Sequence, residues 1–447
     1  MRSHHDWSRA PLNLVLAGMI ALSAILLSST GMLTTAEDSL AAHRAEFLNR
    51  EPSGQTVIVE IDANSLAQLR TWPWPRRYHA QLVRELHKAG ASVIGFDVDF
   101  SARSGSDDLE LASAMQDAGY VVIPIFQQKS SDRANDRRIL ASRPDPAFKS
   151  AWVGGVNIFP GQDGMVRDYP AATLIDGAVQ PSLATLIAEK NGLGDRLFQP
   201  DWAIDARHIQ RFSFVDVING RVPYQAIRNK RVLIGATAIE LGDRYAVPRY
   251  GVVSGVVVQA LATESLLQDR AIQPTGMPIT VLGAFLIGLL LKPRPIIRTG
   301  RFAILYGGIA LAILVGPILV QMAWPIAVSS AAWLYTLVAS AAAQAVVESR
   351  RRLRWRTQFD IESGLPNRLT LEKALAAGTD SSIVLVVAAI ERFEAIRDGI
   401  GISATNEIIR SSADLFGRLV EQPIYRIAPD TLALFLANYF LSVGTTV

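Results

Sequence analysis

The stretch Val57-Ile-Val-Glu-Ile-Asp62 is a short apolar run rich in β-branched residues, and such a run predicts a buried strand. Residues 78–89 follow it with apolar positions on one helical face, and Gly90 stands where a helix C-cap is expected. The same alternation of strand and helix continues through residues 92–267. Strands spaced by helices indicate a mainly parallel sheet covered on both faces, so we predict an α/β domain.

The other elements of this domain follow from the same patterns. We predict strands at 92–97, 121–125 and 231–235, helices at 108–118, 182–190 and 256–267, an antiparallel strand pair at 153–159 and 164–175, and a polar surface loop at 129–146. The chain has no cysteine, and the domain is large enough to bury a core without disulfides. Thiolate metal sites and cysteine nucleophiles are therefore excluded.

Four apolar stretches flank the domain, one before it and three after it. They cover residues 11–33, 274–291, 302–320 and 325–347. A membrane-spanning helix needs ~20 mostly apolar residues, so we predict four transmembrane helices. The mean hydropathy of +0.22 and the 19% of charged residues agree with a chain of this kind. The alternative for residues 11–33 is a cleaved signal peptide, but their apolar run is longer than the ~7–15 residues usual in such peptides.

Basic residues next to the spans predict the orientation. They are Arg2 and Arg9 before the first span, Lys292, Arg294, Arg298 and Arg301 between the second and third, and Arg350, Arg351, Arg352, Arg354 and Arg356 after the fourth. Basic loops stay in the cytoplasm, so residues 1–10 and the C-terminal part are expected inside. Residues 34–273 are then expected outside, in the periplasm of a bacterium with two membranes. The net charge of +3 is small and lies beside the spans, so we expect lipid contact and no nucleic-acid partner.

Polar residues gather where the predicted parallel strands end, and ligands bind at that edge of open α/β sheets. The candidate pocket residues are Asp62, Trp74, Arg76, Asp97, Asp99, Arg167, Thr237 and Asp243. Neighbouring acids repel, so a cationic or polyhydroxyl ligand or a divalent cation is favoured over an anion. The competing interpretations are that the aspartates cap helices, that the tryptophan plugs the sheet end, and that Arg76 and Arg167 neutralise the acids. We find no nucleophile–base–acid set and expect no catalytic residue, bound metal or cofactor.

A series of motifs within residues 35–270 resembles the type-two CHASE extracytoplasmic sensor domain. In chain order they are Ile61-Asp-Ala-Asn-Ser-Leu66, Trp72-Pro-Trp-Pro-Arg76, Gly95-Phe-Asp97, Asp163-Gly-Met-Val-Arg167, Pro181-Ser-Leu183 and Leu233-Ile-Gly-Ala-Thr237 with Asp243. The resemblance implies one span before the sensor, three after it, and a cytoplasmic signalling output. Near the domain end the family usually carries a glycine and a histidine; here Gly255 is present and Gln259 replaces the histidine.

The C-terminal residues 360–447 resemble the opening of a GGDEF (diguanylate cyclase) domain. The resemblance rests on Asp360-Ile-Glu-Ser-Gly-Leu-Pro-Asn-Arg368, on Ile390-Glu-Arg-Phe-Glu-Ala-Ile-Arg-Asp398 and on Arg426-Ile-Ala-Pro-Asp-Thr-Leu432. It implies that Ala389 replaces a metal-binding aspartate, Arg397 a guanine-reading asparagine, Ala428 and Pro429 the signature glycines, and Thr431 an acid. Alanine cannot bind Mg²⁺ and proline has no amide hydrogen. We therefore predict a vestigial nucleotide site of Arg397, Asp398 and Asp430, in a degenerate and truncated domain without cyclase activity.

These predictions describe a multi-pass receptor of the bacterial inner membrane. A linker helix at 348–359 would join the last span to the partial GGDEF-like domain, either as the start of a coiled coil or lying against anionic lipid. The expected partners are membrane lipid, an unidentified extracytoplasmic ligand and a second copy of the chain. The alternatives are a residual diguanylate cyclase and a membrane scaffold that binds a periplasmic protein. Degenerate GGDEF domains often precede an EAL phosphodiesterase domain, but the sequence contains nothing of that domain, so its activity is not assigned to this chain.

Overall fold

The computed structural model describes residues 10–129, 139–190, 192–291, 299–377 and 383–437. Two compact units are present. The larger one comprises Leu14–Leu290 and Phe302–Val338, and the other comprises Met1–Asn13, Leu291–Arg301 and Ala339–Val447. The predicted basic flanks at 1–9 and 292–298, residues 130–138 of the predicted loop at 129–146, and residues 438–447 lie outside the described residues.

The helices of the described residues are α1 (Ala10–Ser29), α2 (Thr34–Leu48), α3 (Ala63–Leu69), α4 (Arg76–Lys88), α5 (Ser106–Ala118), α6 (Leu183–Ile187), α7 (Phe214–Ile218), α8 (Tyr224–Ile227), α9 (Gly255–Leu267), α10 (Met277–Leu290), α11 (Thr299–Ala323), α12 (Ala331–Gln358), α13 (Arg368–Ala377) and α14 (Phe393–Val420). The strands are β1 (Thr56–Ile61), β2 (Val93–Asp97), β3 (Val121–Lys129), β4 (Ile139–Ser142), β5 (Trp152–Gly155), β6 (Tyr169–Pro170), β7 (Ala172–Ile175), β8 (Ala178–Pro181), β9 (Leu197–Phe198), β10 (Gln210–Ser213), β11 (Arg231–Ala236), β12 (Arg244–Val247), β13 (Gly251–Ser254), β14 (Gln273–Pro274), β15 (Ile326–Ala327), β16 (Ile383–Ala389), β17 (Tyr425–Ala428) and β18 (Thr431–Ala437).

A mainly parallel sheet organises the larger unit. Within the described residues its strand order is β10-β1-β11-β2-β3, and β3 also pairs with β5 in parallel and with β4 in the antiparallel direction. Residue 235 of β11 lies opposite Glu60 of β1 and Asp97 of β2, so the carboxyl ends of these three strands meet at one edge. The predicted α/β sheet is confirmed. The predicted surface loop at 129–146 is wrong at residues 139–142, which pair with the end of β3 as β4.

Both faces of the sheet are buried. Ile58 and Leu233 belong to one apolar cluster, which α6 and α9 cover, while Val59 and Ile234 belong to another, which α4, α5 and α7 cover. Because successive side chains of a strand point to opposite faces, the continuous apolar runs in β1 and β11 supply both cores.

The predicted antiparallel pair at 153–159 and 164–175 is wrong. Strand β5 pairs in parallel with β3, and β7 forms a hairpin with β8. The reason is the two-residue turn Asp176-Gly177, where φ is +50° and +82°. Asp-Gly in this conformation is the preferred connection of a tight hairpin, so β7 pairs with the strand that follows it directly.

Several helices are candidates for crossing a membrane. Among the described residues, Gly300–Ala323 and Ala331–Gln358 are long and apolar enough, and the pair Leu14–Ser29 and Thr34–Leu48, bent by 81°, is a third candidate. Helix α10 has 14 residues and is short for a span. Trp333 of α12 donates a hydrogen bond to the Thr280 carbonyl of α10 at 2.9 Å. The described residues therefore hold two to three candidate membrane helices.

The smaller unit contains an antiparallel sheet in the order β16-β18-β17. Residues 383–389 form β16, the first strand of this sheet. Strands β17 and β18 form a hairpin across Pro429-Asp430, and Ala389 of β16 lies opposite Thr431 of β18. Arg426 is buried and forms an ion pair of 2.7 Å with Asp360. This ion pair links the β17–β18 hairpin to the residues that follow α12.

Candidate functional site

A cavity of about 340 Å³ opens at the edge where β1, β2 and β11 end. Its acidic lining residues are Asp97, Asp99 and Asp243, its other polar residues are Asn157 and Tyr245, and its aromatic residues include Trp72 and Phe126. Concave sites with an apolar wall and a few convergent polar groups are typical of small-ligand sites. The cavity is therefore the candidate site of the larger unit.

Two acids of the cavity lie near each other: Asp97 at the end of β2 and Asp243 just before β12. The Asp97 carboxylate has no hydrogen-bond or ion-pair partner among the residues that the structure describes. Burial and the nearby charge of Asp243 raise the pKa of Asp97 well above its ordinary value. Burial also raises the pKa of Asp243, although a hydrogen bond with Tyr245 partly offsets this. A proton or a positive group between these two carboxyls would therefore be favourable.

The remaining polar residues of the cavity are already satisfied. Asn157 accepts a hydrogen bond from the Gln127 amide at 2.6 Å and donates one to the Gln127 carbonyl at 2.8 Å. Asp99 accepts hydrogen bonds from the amide and hydroxyl of Ser101 at 2.8 and 3.0 Å. These residues shape the wall, and Asp97 and Asp243 remain the candidates for contact with a ligand.

Two glycines allow this arrangement. A Cβ at Gly255 would lie 2.2 Å from Oδ2 of Asp243, and a Cβ at Gly235 would lie 2.7 Å from the Cβ of Val256 and 3.2 Å from that of Asp97. The first residue of α9 and the end of β11 must therefore lack a side chain for the acids to approach each other. Burial also raises the pKa of Tyr245 to about 12, so this hydroxyl stays a donor to Asp243.

The structure places three of the predicted pocket residues elsewhere. Asp62 caps α3: its carboxylate accepts hydrogen bonds from the Ser65 amide and the Ser213 hydroxyl, each at 2.9 Å. Trp74 is 3% exposed and lies in the core, and its neighbour Trp72 lines the cavity instead. The Thr237 amide donates to the Ile61 carbonyl at 3.1 Å, and this threonine is not among the lining residues.

The two predicted arginines do not neutralise the acid pair. Arg76 donates to the carbonyls of Asp99 and Ala102 at 3.2 and 3.3 Å and forms an ion pair of 3.7 Å with Asp108. Burial lowers the pKa of Arg76. Its hydrogen bonds to the two carbonyls stabilise the loop that follows β2. Arg167 bonds to Asp38 and Asp163, and it lines a different cavity, near α2. The predicted convergence of Asp62, Asp97, Arg167 and Asp243 is thus limited to Asp97 and Asp243, joined by Asp99.

Sequence reasoning missed Asn157, Tyr245 and Phe126, and it chose the wrong tryptophan. Asn157 was hidden because the segment around it was assigned to an antiparallel pair. Tyr245 follows Asp243 by two residues, and that proximity was the available signal. The motif Trp72-Pro-Trp-Pro-Arg76 offers two similar side chains, and which one is buried depends on Phe214, whose ring centroid is 4.5 Å from that of Trp74.

Gln259 occupies a buried position on α9. It accepts a hydrogen bond from the Tyr169 hydroxyl and donates one to the Val156 carbonyl at 3.0 Å. It thereby connects α9 to the segment just before Asn157 in the cavity wall. A neutral amide can serve both partners at once, since it has a donor and an acceptor.

The residues predicted to form a vestigial nucleotide site lie on α14 and at the β17–β18 turn of the smaller unit. Arg397 forms an ion pair of 2.7 Å with Glu394, and Asp398 is largely exposed. Asp430 accepts a hydrogen bond of 2.8 Å from Thr431. Within the described part of the chain, no group of three or more histidine, aspartate or glutamate residues is placed to hold a metal ion.

The CHASE2 domain family model matches residues 17–292, which is more than half of the 447 residues. The match includes the sheet, the cavity and the apolar helices α1 and α10, and it does not extend to residues 360–447. No curated protein matches the chain. CHASE2 is an extracytoplasmic sensor domain, and the apolar helices suggest insertion into a membrane. The chain therefore belongs to the CHASE2 family.

Proposed function

We propose that the protein is a bacterial inner-membrane receptor that senses an extracytoplasmic stimulus and relays it to a cyclic di-GMP signalling module. The observation that carries the proposal is the cavity in which Asp97 lies near Asp243 without a hydrogen-bond or ion-pair partner among the described residues, inside a domain of a sensor family. The receptor crosses the membrane four times, with its sensor in the periplasm and both termini in the cytoplasm.

The contacts of α11 and α12 support this topology. Arg50 and Arg270, both in the sensor, donate hydrogen bonds to the carbonyl of Gln321, near the end of α11. Strand β14, which leaves the sensor, pairs with β15 in the connector between the two helices. A connector bonded to the sensor lies on the sensor's side of the membrane, as the absence of charge in residues 321–324 also predicts.

Reporter fusions test the topology. An enzyme active only in the periplasm should be active when inserted within residues 129–136 and inactive when fused after Arg356. A cytoplasmic reporter should give the opposite pattern at the same two places. Periplasmic activity after Arg356 would contradict the four-span arrangement.

The ligand that fits the cavity best is a small cation, such as an amine or guanidinium compound. A positive group between Asp97 and Asp243 would remove their repulsion, and the ring of Trp72 offers a cation–π surface. A polyhydroxyl compound is the second candidate, because carboxylates accept hydrogen bonds from hydroxyls. A divalent cation is less favoured, since no group of three ligating acids is found in the described residues.

Binding measurements with defined probes test this assignment. Calorimetry on the full chain in nanodiscs would compare putrescine, arginine and a neutral polyol such as glycerol. We expect binding of a cationic probe to be lost in Asp97→Asn and kept in Asp117→Asn, because Asp117 is exposed on α5 and away from the cavity lining. Equal binding by both variants would contradict the assignment.

The GGDEF-like residues are proposed to act as a relay without cyclase activity. The pairing of Ala389 with Thr431 supports this, since a methyl stands where the family resemblance implies a metal-binding aspartate and a hydroxyl stands where it implies a second acid. The purified chain with GTP and Mg²⁺ or Mn²⁺ should make no cyclic di-GMP. Ala389→Asp should not restore synthesis, because Pro429 and Thr431 remain. Product above that of an Asp398→Asn/Asp430→Asn control would favour the residual cyclase instead.

A further inference from the structure

Helix α2 holds the start of α12 through one carboxylate. Oε2 of Glu37 accepts hydrogen bonds from the amides of Ser330 and Ala331, each at 2.8 Å. Ser330 directly precedes α12 and Ala331 is its first residue, and backbone donors at this end have no partner within the helix. A negative charge at this end also interacts favourably with the helix dipole.

A buried arginine fixes this glutamate. Arg44, seven residues later on α2, forms an ion pair of 3.0 Å with Oε1 of Glu37 and donates a hydrogen bond to the Ser330 hydroxyl at 3.0 Å. Its side chain is 7% exposed, so the interaction lies out of bulk water. Charge-assisted hydrogen bonds of low exposure are stronger than those on an open surface.

The next residue of α2 bonds to the sensor. The Asp38 carboxylate accepts hydrogen bonds from the Arg167 guanidinium, which also binds Asp163 in the same turn. These bonds raise the pKa of Arg167, which stays charged. Glu37 and Asp38 are adjacent, so a movement of the turn at 163–167 acts on the residue beside the one that caps α12.

The same turn is bonded to the wall of the candidate site. The Val166 amide donates to the Ala246 carbonyl of β12 at 2.8 Å. Ala246 follows Tyr245, which lines the cavity and bonds to Asp243. A contiguous set of contacts therefore runs from the acid pair through β12, the turn at 163–167 and α2 to the start of α12.

Helix α11 is held in another way. Arg50 and Arg270 form ion pairs of 3.1 and 3.2 Å with the buried Asp201, and both donate to the Gln321 carbonyl. Positive groups at a helix C-terminus are favourable, so this end of α11 is fixed to the body of the sensor. The two neighbouring membrane helices thus have separate attachments, and the one on α12 passes through the adjacent acids of α2.

We propose that Glu37 and Asp38 form the coupling between the sensor and α12, by which a change at Asp97 and Asp243 repositions that helix. The coupling rests on the proposed sensing role of the cavity. Helix α12 is continuous from Ala331 to Gln358, so a change at its first turn is carried along its length. A stimulus acts through this coupling when it favours one of two positions of the Arg167–Asp38 contact over the other.

A single engineered cysteine tests the proposal, because the chain has none of its own. Leu353→Cys lies on an exposed position of α12, and its rate of reaction with a maleimide is measured on the full chain in nanodiscs. We expect Glu37→Gln and Asp38→Asn each to change this rate by about fivefold, the size of a moderate coupling energy. Glu46→Gln, an exposed change on the same helix, should leave the rate unchanged.

The cavity end is tested in the same experiment, without any ligand. Asp97→Asn should change the labelling rate in the otherwise unaltered chain and have no further effect together with Asp38→Asn, because the path is then already broken. Hydrogen exchange at the start of α12 should rise in Glu37→Gln and stay unchanged in Asp38→Asn, which leaves the cap in place. That second variant keeps the test valid if Glu37→Gln fails to fold.

The outcomes separate the coupling from the sensing role. Equal effects of Asp97→Asn with and without Asp38→Asn, or rates in Glu37→Gln and Asp38→Asn no different from Glu46→Gln, would overturn the coupling. An Asp97→Asn that leaves the rate unchanged in both backgrounds would also overturn it. Failure of the cationic probes to bind, with the labelling result as expected, would remove the proposed ligand class and leave the coupling standing.

Discussion

Asp62 and Asp97 lie at similar places in the sheet, but the structure surrounds them differently. Asp62 directly follows β1, Asp97 ends β2, and β11 runs between the two strands. The Asp62 carboxylate has two hydrogen bonds, from Ser65 and Ser213, whereas Asp97 has none among the described residues and lies near Asp243. A position at the end of a parallel strand therefore does not decide the role of an acid. The groups that other segments bring to it do.

The largest expected effect comes from closing the space that the acid pair needs. Gly255→Ala places a Cβ 2.2 Å from Oδ2 of Asp243, so the carboxylate must move. We expect the free energy of unfolding to fall by ~2–3 kcal/mol, as in other overpacked sites. Thermal unfolding of the full chain in detergent measures this. Gly155→Ala is the matched control, since its nearest atom would be 3.7 Å away, and an equal loss there would contradict the argument.

Loss of the helix cap at Asp62 should lower the free energy of unfolding by a smaller amount. Asp62→Ala removes the acceptor of the Ser65 amide and of the Ser213 hydroxyl, and we expect it to lower the free energy of unfolding by ~1–2 kcal/mol. Asp62→Asn should recover most of that stability, because an asparagine is also a good N-cap. Binding of a cationic probe should be unchanged in both variants. A loss of binding would place Asp62 in the site after all.

Substitution of Asp97 in the cavity should raise the free energy of unfolding. Asp97→Asn removes one of two facing acids whose pKa values are both raised, so we expect the full chain to be stabilised at pH 7 by ~1 kcal/mol. Function and stability oppose each other at such a site, since the same variant should lose the ligand. Chemical denaturation at pH 7 measures the effect. A loss of stability instead would mean that Asp97 has a structural partner.

The smallest effect is the pH dependence that Asp97 contributes. The folded protein holds the Asp97 proton more tightly than the unfolded chain, where the carboxyl has its ordinary pKa of 3.8. The stability from this group is therefore fully present below pH ~4 and is lost as the pH rises through the folded-state pKa. The difference in unfolding midpoint between Asp97→Asn and the unaltered chain should grow from pH 4 to pH 7. A difference that stays constant would contradict the raised pKa.

Much of the fold was predictable because its signals are local. Runs such as residues 57–62 bury both faces of a strand, and residues 76–88 carry apolar side chains at helical spacing, so strand and helix follow from periodicity. The hairpin at Asp176-Gly177 was equally local and was overlooked. The edge of the sheet where polar groups collect also follows, once the strands are known to be parallel.

The membership of the site was not predictable in the same way. Arg167 stands in a motif of the sensor, yet its partner Asp38 is 129 residues away on α2. Trp72 and Trp74 have the same residue type and nearly the same position, and the packing of Phe214 decides which is buried. The approach of Asp97 and Asp243 depends on two glycines that let β11 and α9 pack close together.

The amino-acid pattern alone predicted an α/β domain, its apolar flanking helices, and the sheet edge at which polar residues gather. These properties depend on hydrophobic periodicity and chain direction, which nearby residues specify. Only the tertiary structure determined that Asp62 caps α3 and that Arg167 donates a hydrogen bond to Asp38 of α2. It also placed Asp97 near Asp243. The physical reason is that hydrogen bonding and desolvation at these side chains depend on residues distant in sequence. Local sequence patterns do not indicate which distant residues come together in the fold.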